Sequence, residues 1–269
     1  MKEDFQLLAT HNTARDFEKC ISTPRFNRYL HDHPDQKDAI SVYLWNMALC
    51  EALYPTLQTL EITYRNALNE ALANERKTAT WYDDTNFLLG NEQQKVIAAK
   101  RELGRQRKPS DPCRVVAELS FGFWVALYSR PYRPTIVHST IATVFSNAPR
   151  RLRNASDISN RLQGVRKLRN RVFHHEPIWH WVNASPNLSH RAELFDQYQT
   201  ILTLINWIGP AHHKLIRTID NFEHVYSVGW GHYRKFVEDV ILAEQTALEV
   251  AHANAAEQSI EQRSVNRGH

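Results

Sequence analysis

Residues 38–74 read DAISVYLWNMALCEALYPTLQTLEITYRNALNEALAN, and this stretch decides the fold class. Leu44, Met47, Ala48, Cys50, Leu53, Leu57, Leu60, Tyr64 and Leu68 recur at steps close to three and four, the spacing that lines one face of an α-helix. The pattern predicts a long core-facing helix over 38–74. Pro55 is expected to kink it or divide it in two, because proline lacks a backbone donor and its ring strikes the preceding turn. The rest of the chain agrees. Its 269 residues include 8 glycines, about 3% against an average near 7%. Tight turns are therefore few, which favours long helices over a barrel or sandwich. With 42% hydrophobic and 10% aromatic residues there is material for a real core, which excludes collagen-like, low-complexity and globally disordered classes.

Working outward, residues 1–37 carry scattered His, Asp and Pro and are expected to form a short helix and a loop. Downstream, Asp83-Asp84-Thr85 is turn-like and a polar helix follows over about 91–106. GRQRKPSDP (104–112) reads as a loop with Ser110 or Asp111 as a cap. VVAELSFGFWVALY (115–128) reads as one buried helix with Gly122 at a close contact. Ser156-Asp157 offers an N-cap pair for a helix running to Glu176 and stopped by Pro177. Helices over about 190–208 and 211–220 flank Gly209-Pro210, and another covers 237–256. No strand pair is evident. The expected organisation is an N-terminal helix and loop (1–37), a helical domain (38–220), a helical extension (221–256) and a polar, frayed or disordered tail (257–269).

Cys20, Cys50 and Cys113 lie far apart with no CxxC, so neither a disulfide framework nor a zinc ribbon is expected, and a reducing cytoplasm fits best. The start, Met1-Lys2-Glu3-Asp4-Phe5, is unlike a signal peptide, and no apolar run of about 18 residues predicts a membrane span. His31-x-His33, His212-His213 and His224 lack the partners of a metal motif, so no metal or cofactor is expected. GxGxxG, P-loop and GxSxG patterns are missing as well, which removes support for nucleotide hydrolysis and esterase chemistry. Trp207, Trp230 and Tyr226 read as packing residues.

The charge is unevenly placed. Residues 150–176 read RRLRNASDISNRLQGVRKLRNRVFHHE. Between 150 and 171, Arg150, Arg151, Arg153, Arg161, Arg166, Lys167, Arg169 and Arg171 stand against Asp157 alone. That is a net +7 in a chain whose total is +4, which leaves the remainder at −3. Such a stretch suits a polyanion such as nucleic acid, or is a solvated arginine-rich face. The loop residues Arg101, Arg105, Arg107 and Lys108 read as plain solvated surface that would otherwise extend the same path.

At about 100° per residue, Leu162, Val165, Leu168, Val172 and Phe173 share one apolar arc, and Arg169 falls inside it. Asn170 and His174 sit together beside the arc. An arginine on the apolar side of a helix is costly unless a carboxylate or a phosphate answers it. Both answers are open. One is a structural Arg–Glu pair with a helix-terminal His; the other is a polar pocket in which Arg169 binds phosphate and His174 moves protons.

LRNRVFHHEP (168–177) resembles the R-x4-H motif of the HEPN superfamily of ribonucleases, in the form written by Abi-like (abortive-infection) proteins. LEITYRNAL within SVYLWNMALCEALYPTLQTLEITYRNAL (41–68), and ELSFGFW within 115–128, are similar to the same family in the same order. The resemblance covers roughly residues 24–210. R-x4-H alone is unspecific; the ordered trio is a signature.

The resemblance implies an all-α, HEPN-like helical bundle with additional N- and C-terminal helices. It also implies a homodimer that sets two motifs face to face in one cleft. It further implies metal-independent RNA cleavage by attack of a 2′-OH on the adjacent phosphate, giving a 2′,3′-cyclic phosphate and a 5′-OH. Carried over, Arg169 is the motif arginine, Asn170 its polar neighbour and His174 the motif histidine. His175, Glu61, Arg65 and Asn66 are supporting candidates. Glu61 is expected to pair with Arg169 or Arg65, or simply to form a local i,i+4 pair with Arg65. Arg150, Arg151, Arg153, Arg166, Lys167 and Arg171 are the candidate RNA-binding residues. Implied partners are RNA, a second copy, and an RNA or protein antitoxin. Some members carry a tyrosine two residues after the histidine as a modification site; here that residue is Glu176, which puts such control in doubt. The competing readings are an RNA-binding protein with little cleavage, held by structured RNA or an antitoxin, and a helical dimer whose motif is only structural.

Overall fold

In the computed structural model the described residues are 13–136, 138–180, 182–183 and 192–265. They are all-α, as expected. The chain divides into two compact units, residues 1–48 with 224–269, and residues 49–223. Element order is α1 (Thr13–Ile21), α2 (Thr23–Leu30), α3 (Gln36–Arg76), α4 (Gly90–Arg105), α5 (Pro112–Glu118), α6 (Phe121–Ala126), α7 (His138–Val144), α8 (Ala155–Phe173), α9 (Leu194–Ile208), α10 (Pro210–Ile216), α11 (Phe222–Val228) and α12 (Gly231–Val265). Among the described residues the one β pairing is two residues long, Val182–Asn183 antiparallel to Ala192–Glu193.

The 49–223 unit is packed around α3. Leu53, Leu57, Leu60, Tyr64 and Leu68 of the opening stretch are buried. The earlier positions of the expected core face are not: Leu44, Ala48 and Cys50 are half-buried and Met47 is exposed, because Val42, Trp45 and Leu49 supply the buried face there. Tyr64 lies at an aromatic junction, with ring centroids 6.3 Å from Phe121, 6.1 Å from Tyr128 and 6.0 Å from Phe145. Its hydroxyl donates to the Trp124 carbonyl at 3.0 Å, so the one polar atom it takes into the core is satisfied. Trp81, Phe87, Phe123 and Trp124 form a second cluster, whose Trp81 indole N–H donates to Asn69. Helix α8 contributes Ile158, Leu162, Val165, Leu168 and Val172 to the core. Fully burying each Leu-sized side chain stabilises by about 1.5–3 kcal/mol before ordering costs, so this helix is firmly seated.

In the other unit, Phe17, Phe26, Tyr29 and Tyr43 meet edge to face, and the Trp45 indole donates to the Val225 carbonyl at 2.9 Å. Gly229 takes φ +66, the left-handed conformation that glycine adopts without a Cβ penalty, between α11 and α12.

Several expectations need correction. Pro55 does not divide α3, which is one helix from Gln36 to Arg76. The carbonyl deprived of its donor belongs to Glu51, an exposed residue that water can serve, while buried Leu53, Leu57 and Leu60 hold the opposite side. Residues 115–128 are not one helix. Leu119 is extended (φ −71, ψ 125), its carbonyl is taken by the Trp124 indole at 3.2 Å, and α6 restarts after Ser120. Nor is Gly122 a close contact, since an added Cβ would meet its nearest atoms at 3.8 and 3.9 Å, ordinary contact distances. The cap of α8 is Asn154, whose side chain accepts from the Asp157 N–H at 2.9 Å, rather than Ser156 or Asp157. The same helix stops at Phe173, three residues short of Glu176. The C-terminal helix runs on through Val265, beyond the Ala256 at which it was expected to end. Residues 1–12 and 266–269 lie outside the described set.

Candidate functional site

Two helices of the 49–223 unit build the site. Glu61 stands on α3 and Arg169 on α8, with the Arg169 Nε 3.4 Å from the Glu61 carboxylate and the two side chains 27% and 25% exposed. Leu162, Val165 and Leu168 around Arg169 are buried, so the arginine does emerge from the apolar side of its helix. Its Nε is enclosed but makes no hydrogen bond. Charge on one side and the Phe173 ring on the other hold the group, with the guanidinium carbon 4.1 Å from the ring centre. Among the described residues no hydrogen bond uses its two terminal nitrogens. They remain a planar pair of donors of the kind that meets two oxygens of one phosphate.

The other half of the motif is placed by the helix end. His174 is the C-cap of α8 (φ −94, ψ 9), and its N–H donates to the Asn170 carbonyl at 2.9 Å. His175 takes the left-handed conformation at φ 55. The His175 N–H then donates to the Val172 carbonyl at 3.1 Å and the Glu176 N–H to the Arg171 carbonyl at 2.9 Å. These two bonds are the Schellman closure, which satisfies helix-end carbonyls by reversing the chain. Pro177 follows and cannot continue the helix. Arg169 is therefore aimed by helix rotation and His174 by the turn. Both histidines are exposed, and Asn170 is half-buried in the last helical turn.

Arg65 and Asn66 are placed differently. The Arg65 Nε donates to Asn66 at 3.2 Å, and Asn66 lines a separate groove of about 440 Å³ with Ile62, Ile208 and His212. Of the two basic partners the sequence offered Glu61, the structure gives it Arg169.

The basic stretch is not one open surface. Arg150, Arg151 and Lys167 are exposed. Arg153 donates to the Ala148 and Ser146 carbonyls, and Arg161 lies over the Trp207 ring at 5.2 Å. Arg166 bonds Gln163 at 3.0 Å, and Arg171 faces Glu176 at 3.2 Å.

Sequence reasoning missed Tyr54. Its ring centroid lies 5.7 Å from that of Phe173, and the two residues are 47% and 39% exposed, an aromatic rim against the charged pair. The signal was present, because positions 54 and 61 are two helical turns apart and share a face. Among the described residues no group of three His, Cys, Asp or Glu side chains is arranged to hold a metal ion. No helix of the described residues is long and apolar enough to cross a membrane.

Comparison with curated proteins and with solved structures gives no match. A family model described as Abi-like protein matches residues 12–180, more than half of the chain and all of the segment that carries Glu61, Arg169 and His174. The chain belongs to the Abi-like protein family.

Proposed function

We propose that the protein is a metal-independent endoribonuclease of the HEPN type that acts in phage defence as a growth-arresting toxin. The observation that carries this is Arg169: a guanidinium emerging from the apolar side of α8, fixed by Glu61 and Phe173, with two terminal donors uncommitted, five residues before His174 at the helix end. In the reaction the 2′-OH attacks the adjacent phosphorus and the P–O5′ bond breaks. His174 takes the 2′-OH proton, and a proton is returned to the departing 5′ oxygen. Two copies facing each other supply one histidine for each transfer. Arg169 offsets the charge that builds on the phosphorane, and Asn170 orients His174 or the substrate. The exposed Tyr54–Phe173 rim is a face that a second copy would cover, which supports the two-copy cleft.

The test is incubation of RNA with purified protein in EDTA, beside His174→Ala. The expected result is cleavage to 2′,3′-cyclic phosphate ends by the wild type and a loss of about 10²–10⁴-fold in the variant. RNA held tightly but uncut by the wild type would sink the nuclease reading in favour of an RNA-binding role. A monomer at micromolar concentration in a sizing run would sink the composite cleft.

A further inference from the structure

A second polar recess lies on the same unit, and its lining includes neither Glu61 nor Arg169. It has a volume of about 320 Å³ and is lined by Glu92 and Lys95 of α4, Gly122 of α6, Ser129, and Gln163 and Arg166 of α8. Glu92 is almost fully buried, and its hydrogen bonds are already made within the protein. One carboxylate oxygen receives Lys95 at 3.1 Å and the Asn91 amide at 3.2 Å; the other receives the Tyr132 hydroxyl at 3.0 Å. The Tyr132 hydroxyl in turn accepts the Leu89 N–H at 2.9 Å. The Gln163 carbonyl oxygen is taken by the Arg166 Nε.

Subtracting these bonds leaves an unequal remainder. The recess keeps the terminal nitrogens of Arg166, the Gln163 amide N–H groups, the further hydrogens of Lys95 and the Ser129 hydroxyl, nearly all donors. Its charge balance is two cations against one carboxylate. Exposed Arg130 and Lys167 are the chain neighbours of Ser129 and Arg166 and add to the positive charge of the same segments. A donor-rich recess with residual positive charge selects an oxyanion. Its volume falls at the lower end of small-ligand pockets, about 300–1,000 Å³, and so exceeds what a lone anion needs. Gly122 puts no side chain into the recess; a Cβ there would rest at ordinary contact distance, 3.9 Å, from the Arg166 Cδ, so a larger side chain at this position would take up part of the volume.

We propose that this recess binds the phosphate group of a phosphate ester, clamped by Arg166 with Lys95 and Gln163. The ester is either a backbone phosphate of RNA or a free nucleotide. Only the first source rests on the RNA reading given above.

The experiment uses full-length His174→Ala protein, so that RNA stays intact. Single-stranded RNA binding is measured across a salt series, and AMP and inorganic phosphate are titrated calorimetrically in separate runs. The variants are Arg166→Gln, which removes the clamp, and Gly122→Leu, which takes up part of the volume; far-UV circular dichroism checks that each is folded. With RNA as the source, Arg166→Gln lowers the salt slope by about 0.7, the share of one phosphate on a single strand, and Gly122→Leu moves affinity the same way. With a free nucleotide as the source, AMP binds and loses at least about tenfold in both variants, near 1.4 kcal/mol, while the RNA slope holds. RNA, AMP and phosphate binding that are all absent, or all indifferent to both variants, overturns the assignment. Cleavage is not read in this experiment, so failure of the nuclease reading and failure of the recess are separately visible.

Discussion

Replacing Glu61 by Gln removes one charge from the pair that fixes Arg169 while keeping the shape of the side chain. At the observed 3.4 Å, two unit charges attract by about 5 kcal/mol at an effective dielectric of about 20. Both side chains are about three-quarters buried, so desolvation offsets most of that figure. The net coupling is then about 1–2 kcal/mol, above the roughly 0–1 kcal/mol of an exposed pair. Because Arg169 also rests on Phe173, the companion change is Arg169→Met, which keeps an unbranched apolar chain beside the ring while removing the guanidinium with its charge and donors. The assay is a double-mutant cycle of wild type, both single variants and the double. Each is unfolded chemically at one protein concentration and followed by far-UV circular dichroism. Glu61→Gln alone is expected to lower the unfolding free energy by about 1–2 kcal/mol, read as a lower denaturant midpoint. A coupling energy below about 0.3 kcal/mol, the usual error of additivity, would refute the reasoning, because the two charges would then not sense each other in the folded protein.

His175 holds a left-handed conformation at φ 55, so His175→Gly is expected to stabilise by about 0.5–1 kcal/mol in the same denaturation assay. Tyr64→Phe deletes a hydroxyl that donates to the Trp124 carbonyl inside the core, where burial and neighbouring Tyr128 hold the phenol well above its ordinary pKa. It should cost about 1–2 kcal/mol by leaving that carbonyl without its partner, read as a lower denaturation midpoint. Burial pushes the Cys50 thiol up to about 11, whereas Cys20 and Cys113 are exposed. Iodoacetamide at pH 8 should therefore label Cys20 and Cys113 well before Cys50, as mass spectrometry would show. The neutral thiol is the form the fold prefers, so the contribution of Cys50 to stability is complete below its ordinary value of 9.0 and is lost as pH rises towards 11.

What the sequence made legible divides by the range of the forces involved. The steps of three and four from Leu53 to Leu68 report burial on one face directly, so α3 and the all-α class could be read from them. Leu44, Met47, Ala48 and Cys50 fit the period but not the buried face, which Val42, Trp45 and Leu49 supply. The break at Leu119 could not, because it depends on the Trp124 indole reaching back to one carbonyl, a choice among several donors in an apolar run. The cap of α8 was misplaced for a similar reason. Asn154, Ser156 and Asp157 are all good capping types within four residues, and only the backbone bend selects Asn154. At the site, helical arithmetic placed Arg169 on the apolar arc but left Glu61 with two basic partners. The local one, Arg65, is the natural choice along a single helix. The packing of α8 against α3 gives Glu61 to Arg169 instead. The summed charge of 150–171 was the least informative quantity at residue level, since a count does not reveal that Arg153 serves carbonyls and Arg161 covers an indole.

The turn that closes α8 bears on how the motif tolerates changes of length. Arg169 and His174 are separated by four residues, and the last of those, Phe173, is where helix gives way to chain reversal. A residue inserted between them would turn Arg169 by about 100° relative to the capped end and shift it by about 1.5 Å. Either Arg169 would leave Glu61 and Phe173, or the reversal at His175 would begin one position late. A deletion has the mirror effect. The spacing is therefore a phase relation between a helix and the turn that ends it, and a frame change of one residue in LRNRVFHHE should be harder to absorb than most single substitutions there.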